Sequence, residues 1–102
     1  MKFGDAIYTV RKQKNMSQDK FSKLIGVDQS YLSLLENNKK RPSTKLLEEI
    51  SNSINIPLPI LLFYSISEED VKNDKRELFR LVYPQIKDML FQIFDEGGDV
   101  DR

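Results

Sequence analysis

Apolar residues in the first two thirds of the chain recur in short helical runs, each opened by a small polar residue and closed by one suited to a turn. Phe3, Ile7, Tyr8 and Val10 fall roughly on one side of a segment spanning residues 3–14. Arg11, Lys12 and Lys14 lie near its C-terminal end, where cations complement the helix dipole. Ser17 then opens a second helix as its cap. Met16 just before it and Phe21 four residues after it have the spacing of a hydrophobic staple. Phe21, Leu24 and Ile25 are the expected buried stripe, and Gly26 ends the helix because the tight turn needs a positive φ. A third helix repeats the device, with Asp28 as cap and Val27 and Leu32 as staple. Leu32 and Leu35 face inward. Gln29, Ser30, Ser33 and Asn37 fall on the opposite side, flanked by Tyr31 and Leu34. Asn38 follows where a left-handed residue is wanted, and asparagine is the next choice after glycine. A fourth helix runs from a Ser43 or Thr44 cap to about Ser53, with Leu46, Leu47 and Ile50 inward. Pro57 or Pro59 starts a fifth through Leu61, Leu62 and Phe63, a stretch apolar nearly all round and so core or interface.

A different pattern begins at Ser67-Glu68-Glu69-Asp70, another cap-like start, and predicts a helical region extending to about Phe94. Leu78, Val82, Ile86, Met89 and Ile93 recur at three- and four-residue spacing. Phe79, Leu90, Phe91 and Phe94 widen that stripe beyond what the surface of a small domain normally carries. Pro84 interrupts it and predicts either a kink or two helices meeting near Tyr83. The chain thus divides into an all-α domain over residues 1–66, a helical extension over 67–96 and a disordered acidic tail over 97–102. The extension either wraps back over helices one and five or forms a dimer interface. The width of the stripe favours an interface built from Leu78, Phe79, Val82, Ile86, Met89, Leu90, Ile93 and Phe94.

Composition narrows the function. A chain of 102 residues, 39% hydrophobic and 31% charged, supports one compact domain with a modest core and an appended segment. It has no cysteine, which points to an intracellular setting, and no histidine, the commonest general base and metal ligand. No apolar run approaches the roughly 20 residues that cross a bilayer, so a cytoplasmic protein without membrane contact is expected. The acidic pairs Glu48-Glu49, Glu68-Glu69-Asp70 and Asp95-Glu96 have neither a partnered base nor the spacing of a metal loop. They read as solvated helix ends, and no enzymatic activity and no cofactor are expected. The net charge of zero conceals a segregation: residues 1–45 hold ten basic and four acidic side chains, +6, and the remainder balances them at −6. A basic half that coincides with helices two and three suits a polyanion. Mutual attraction of the halves is the plainer alternative.

Two short helices joined by Gly26-Val27, the second with a polar outer face, are the physical description of a helix-turn-helix. Around that unit stand Arg11, Ser17-Gln18, Phe21-Ser22, Ile25-Gly26-Val27, Ser30-Tyr31-Leu32-Ser33, Leu35-Glu36, Arg41-Pro42, Leu46, Ile50 and Leu61. With these residues the chain strongly resembles the XRE family, the Cro and phage-repressor type of helix-turn-helix, over about residues 4–63. The resemblance implies five packed helices with helix three in the major groove of double-stranded DNA. It implies that Gln18 contacts a phosphate and braces helix three, and that Arg11 pairs with Glu36 between helices one and three. Gln29 and Ser30 match the base-reading start of helix three. Glutamine can pair bidentately with adenine, and a serine hydroxyl can serve several bases. Tyr31 and Ser33 reach either bases or backbone, while Asn37, Lys39, Lys40 and Arg41 sit on phosphates. Two positions depart from the family. Leu34, commonly polar or basic in relatives, either contacts a thymine methyl or covers the rim of the core, the second being preferred. Asn38 replaces the usual glycine at a small cost. The expected function is that of a sequence-specific transcriptional regulator from a bacterium or its phage, a dimeric repressor on a palindromic operator. The rival is an antitoxin-like module whose residues 67–96 hold a partner protein and whose DNA domain serves autoregulation.

Overall fold

The chain folds, in a computed structural model that describes residues 1–94, into six α-helices among those residues. They are α1 (Phe3–Gln13), α2 (Gln18–Ile25), α3 (Gln29–Glu36), α4 (Thr44–Ile54), α5 (Leu58–Phe63) and α6 (Arg76–Phe94), with single 3-10 turns at Glu68–Asp70 and Asn73–Lys75 before the last. The all-α expectation holds for the described residues. The expected disordered tail, 97–102, and the last two residues of the expected extension lie outside them.

Four helices in succession end the same way. Asn15, Gly26, Asn38 and Asn55 all take the left-handed conformation, with φ of 58°, 77°, 59° and 58°. The next residue then donates its amide five residues back: Met16 to Arg11, Val27 to Ser22, Lys39 to Leu34 and Ile56 to Ser51, at 2.9–3.2 Å. This satisfies carbonyls that a helix end otherwise leaves open and reverses the chain within two residues. The starts are equally local. Ser17 Oγ accepts the Lys20 amide at 3.1 Å, and Ser43 Oγ accepts that of Leu46 at 3.0 Å. Asp28 occupies the cap position of α3 with extended backbone, but its side chain makes no cap bond, so the expected capping role is not borne out there.

These tight turns gather Ile7, Val10, Phe21, Leu32, Leu35, Ile50 and Leu61 into one core. Two expected core positions are absent from it. Tyr8 is exposed, and Leu24 is 44% exposed while its neighbour Ser22 is buried. On α2 both residues flank the Phe21–Ile25 stripe. The flank facing the neighbouring helices takes the small serine, whose Oγ bonds the Asp19 carbonyl at 2.8 Å.

α6 starts at Arg76, nine residues later than the cap-like Ser67, whose capping box closes only the first 3-10 turn. It then runs as one helix through Pro84, so the expected pair of helices meeting near Tyr83 is not found. Its inner side rests on α5 and the residue after it. Phe91 meets buried Tyr64 edge-on at 4.9 Å, Tyr83 packs on Phe63 at 5.1 Å, and Tyr83 Oη donates to the Phe63 carbonyl at 2.7 Å. The broad apolar stripe is therefore divided. Leu90 and Phe94, expected at a dimer interface, are half-buried against the chain's own core. Leu78, Val82, Ile86, Met89 and Ile93 remain exposed, and half-buried Phe79 stacks on Tyr83 at 4.5 Å. No described helix is long and apolar enough to cross a membrane.

Candidate nucleic-acid interface

α3 has an inner side of Leu32, Leu35 and Glu36 and an outer arc carrying Gln29, Ser30, Ser33, Leu34 and Asn37. Its pitch is held by a single buried carboxylate. Arg11 Nε donates to Glu36 Oε2 at 2.6 Å and Arg11 Nη2 to Glu36 Oε1 at 2.9 Å, a bidentate pair with almost no solvent access. The third guanidinium nitrogen, Nη1, donates to the Met16 carbonyl at 2.8 Å, tying the pair to the α1–α2 turn. Gln18 Nε2 adds a bond to Glu36 Oε1 at 3.0 Å. The hydrogen bond to Glu36 raises the Arg11 pKa above its ordinary value, against an opposing effect of burial. Three helices thus meet on one charge that cannot be left alone, since a buried unpaired carboxylate is strongly unfavourable.

The exit of α3 is pinned a second time, by Asn38. Its Oδ1 accepts the Gly4 amide at 2.9 Å and its Nδ2 donates to Asp5 Oδ1 at 2.8 Å. α1 has no side-chain cap of its own, so an asparagine from the α3 exit caps it. The approach is close enough that a Cβ at Gly4 would collide with the Leu35 carbonyl. Lys39, Lys40 and Arg41 follow, all exposed, with the Arg41 guanidinium 4.9 Å above the Phe3 ring. Together with Lys2 these residues border a cleft of about 410 Å³ beside the start of α1.

Gln29, Ser30, Tyr31, Ser33 and Asn37, expected from sequence to contact DNA, lie along α3 and its cap. Gln29 and Ser30 are exposed in the first turn of α3. Ser33 and Tyr31 are half-buried, Tyr31 packing against the core. Asn37 is exposed, and its Nδ2 bonds the Ser33 carbonyl at 2.8 Å. Leu34 is 41% exposed and outside the packed cluster, so the preferred role as a core rim gives way to an apolar contact point on the outer arc. Gln18 braces α3 through Glu36. Lys2 and the clamp of Asn38 were missed. No local signal announced the clamp, because a left-handed asparagine such as Asn15 also stands without a side-chain bond among the described residues.

The helix-turn-helix family model matches residues 7–61. The chain is 40% identical over 60 residues to the ImmF control region 10 kDa protein of Bacillus phage phi105, covering 59% of this chain and 67% of that one. It is 37% identical over 70 residues to control protein C.MunI of Mycoplasma sp, covering 68% of this chain and 93% of the relative. No solved structure matches it significantly.

Proposed function

Since the chain belongs to the XRE-type helix-turn-helix family and is a DNA-binding transcriptional regulator, we propose that it reads a specific operator as a homodimer and represses by occupying it. The observation that carries this reading is the fixed presentation of one helix. The Glu36 network ties α3 to α1 and α2, and the Asn38 clamp ties its exit to the start of α1, while Gln29, Ser30 and Leu34 are exposed.

In the proposed complex Gln29 and Ser30 address base edges, and Leu34 meets a thymine methyl, an apolar feature of the major groove. Tyr31 and Ser33 reach bases or backbone beside them. Gln18, Asn37, Lys39, Lys40 and Arg41 take phosphates, which set register without reading sequence, and Lys2 extends that row. Gln18 Nε2 already donates to Glu36, so its main contribution is to brace. A two-fold dimer places two α3 helices about 34 Å apart, one turn of DNA.

The test is selection of random duplex DNA on the protein at near-physiological salt, followed by sequencing. A palindrome with half-sites about one helical turn apart is the expected result. A single enriched half-site removes the dimer. No enriched sequence overturns direct readout and favours the partner-binding module, for which the exposed face of α6 is the observation in hand.

A further inference from the structure

We infer that Phe3 is a positioning residue for DNA binding: its ring holds the Arg41 guanidinium at the cleft beside the α3 exit, set for a backbone phosphate. This rests on the reading above in which Arg41 takes a phosphate. The guanidinium lies 4.9 Å above the ring centroid. Ring and cation come from distant segments that the fold ties together beside them. Lys2 N donates to the Ser65 carbonyl at 2.7 Å and Gly4 N to Asn38 Oδ1 at 2.9 Å, so Phe3 stands between two anchored amides. The acceptor of the second bond, Asn38, opens the Asn38-Lys39-Lys40-Arg41 stretch. One clamp therefore fixes the ring and the root of the basic loop together.

Arg11 and Arg41 both lie over rings, and they differ in what their nitrogens do. Arg11 is 5.4 Å above the Tyr8 ring, yet its Nε, Nη1 and Nη2 are all engaged within the fold, by Glu36 and the Met16 carbonyl. Arg41 is exposed and has no hydrogen bond or ion pair among the described residues, so the Phe3 ring is what locates it. A ring attracts the cation through its π face and offers no acceptor oxygen in competition with a phosphate. The donors of the planar fork stay available for bidentate contact. Glu69 borders the same cleft, but its ion pair is with the Met1 amine, at 3.7 Å, and not with Arg41.

A free arginine side chain samples many rotamers, and fixing it on DNA costs conformational entropy. A ring that already confines it lowers that cost, a gain from preorganisation rather than from a new contact with DNA. Phe3 suits the task because it is itself held, half-buried and packed against the core. Leucine at this position keeps an apolar contact with the core and loses the π face, so the two roles of the side chain can be separated.

The test is a double-mutant cycle in the full chain, with Phe3→Leu, Arg41→Gln and the two combined, and with Phe3→Tyr as the conservative variant. Because a phosphate contact carries no sequence, the probes are a short duplex of mixed sequence at low salt and the selected operator. Arg41→Gln is expected to weaken binding and to reduce the salt slope by about 1 for each protomer. Phe3→Leu should weaken binding about two- to fivefold for each protomer with the slope unchanged. It should add nothing once Arg41 is gone, and Phe3→Tyr should bind like the unaltered chain. An equal loss from Phe3→Leu in both backgrounds, or no loss with Arg41 present, overturns the inference and leaves Arg41 on its phosphate. Arg41→Gln without effect on affinity or slope overturns both. A second measurement needs no variant: in the free, unaltered protein the Arg41 side-chain protons are expected upfield of their usual nuclear resonance positions, shifted by the ring. Ordinary positions there overturn the inference as well.

Discussion

Asn15 and Asn38 hold the same left-handed backbone, φ 58° and 59°, and losing the side chain has opposite consequences at the two positions. Asn15 is exposed and has no side-chain bond among the described residues, so Asn15→Gly removes only backbone strain and is expected to raise stability by up to about 1 kcal/mol. Asn38→Gly gains the same relief but loses the Gly4 and Asp5 bonds, one of them to a carboxylate. A net loss of about 1–2 kcal/mol is expected. Thermal denaturation of the two variants should move the melting temperature in opposite directions, and a rise in both would remove the clamp. Arg11→Ala leaves Glu36 buried with only Gln18 beside it and is expected to cost about 3–5 kcal/mol. The enriched DNA sequence should stay the same, because Arg11 lies beneath α3. Gln29→Ala should do the reverse, keeping the melting temperature and relaxing preference by about 1–3 kcal/mol at one base pair. Equal weakening on every sequence would show that Gln29 does not read a base. The Arg11–Glu36 bridge and the outward Gln29 were legible through the family resemblance. The Asn38 clamp was not, since its partners lie 33 and 34 residues away in sequence and no local pattern announces a cap supplied by another helix.

Helix starts and stops were the most legible elements, because their causes are local. Ser17, Gly26 and Ser43 act where a hydroxyl or a positive φ is needed within a few residues. The orientation of an element about its own axis was less so. Leu24 and Ser22 flank one stripe, and the choice of buried flank depends on where the neighbouring helices lie. Leu24→Gln is therefore expected to change stability by no more than about 0.5 kcal/mol, whereas Phe21→Ala, at the centre of the same stripe and fully buried, should cost about 3–5 kcal/mol. Urea unfolding distinguishes the two, and a large loss at Leu24 would restore the original stripe. In α6 the periodicity identified the apolar positions but not their division into two faces, which follows from contact with Tyr64 and Phe63. Pro84 is tolerated on an exposed side of that helix, where a missing amide leaves its carbonyl partner open to water.

At the scale of the whole molecule, α6 is joined to the domain through two tyrosines whose ionisation is delayed. Burial pushes Tyr64 up to about 12, and its hydroxyl has no hydrogen-bond partner among the described residues. Burial, followed by the charges of Tyr64 and Asp70, pushes Tyr83 up to about 12 as well. The folded state holds these protons to higher pH than the unfolded chain, which releases them near pH 10. Their contribution to stability is therefore complete below about pH 10 and is lost as pH rises through about 12. Absorbance at 295 nm and circular dichroism should show a phenolate step near pH 12 coinciding with loss of helix. Complete tyrosine ionisation near pH 10 with the helices intact would contradict the packing of α6. The segregation of charge bears on how the molecule meets DNA. With a net charge of zero but +6 in its first 45 residues, it has little far-field pull toward a polyanion. What it has is leverage: the field around a duplex exerts a torque, swinging the basic side inward once the two surfaces come within about a Debye length, roughly 8 Å in physiological salt. Arrival is then governed mainly by diffusion and orientation by charge, so added salt should shorten the stay on DNA far more than it delays the first encounter.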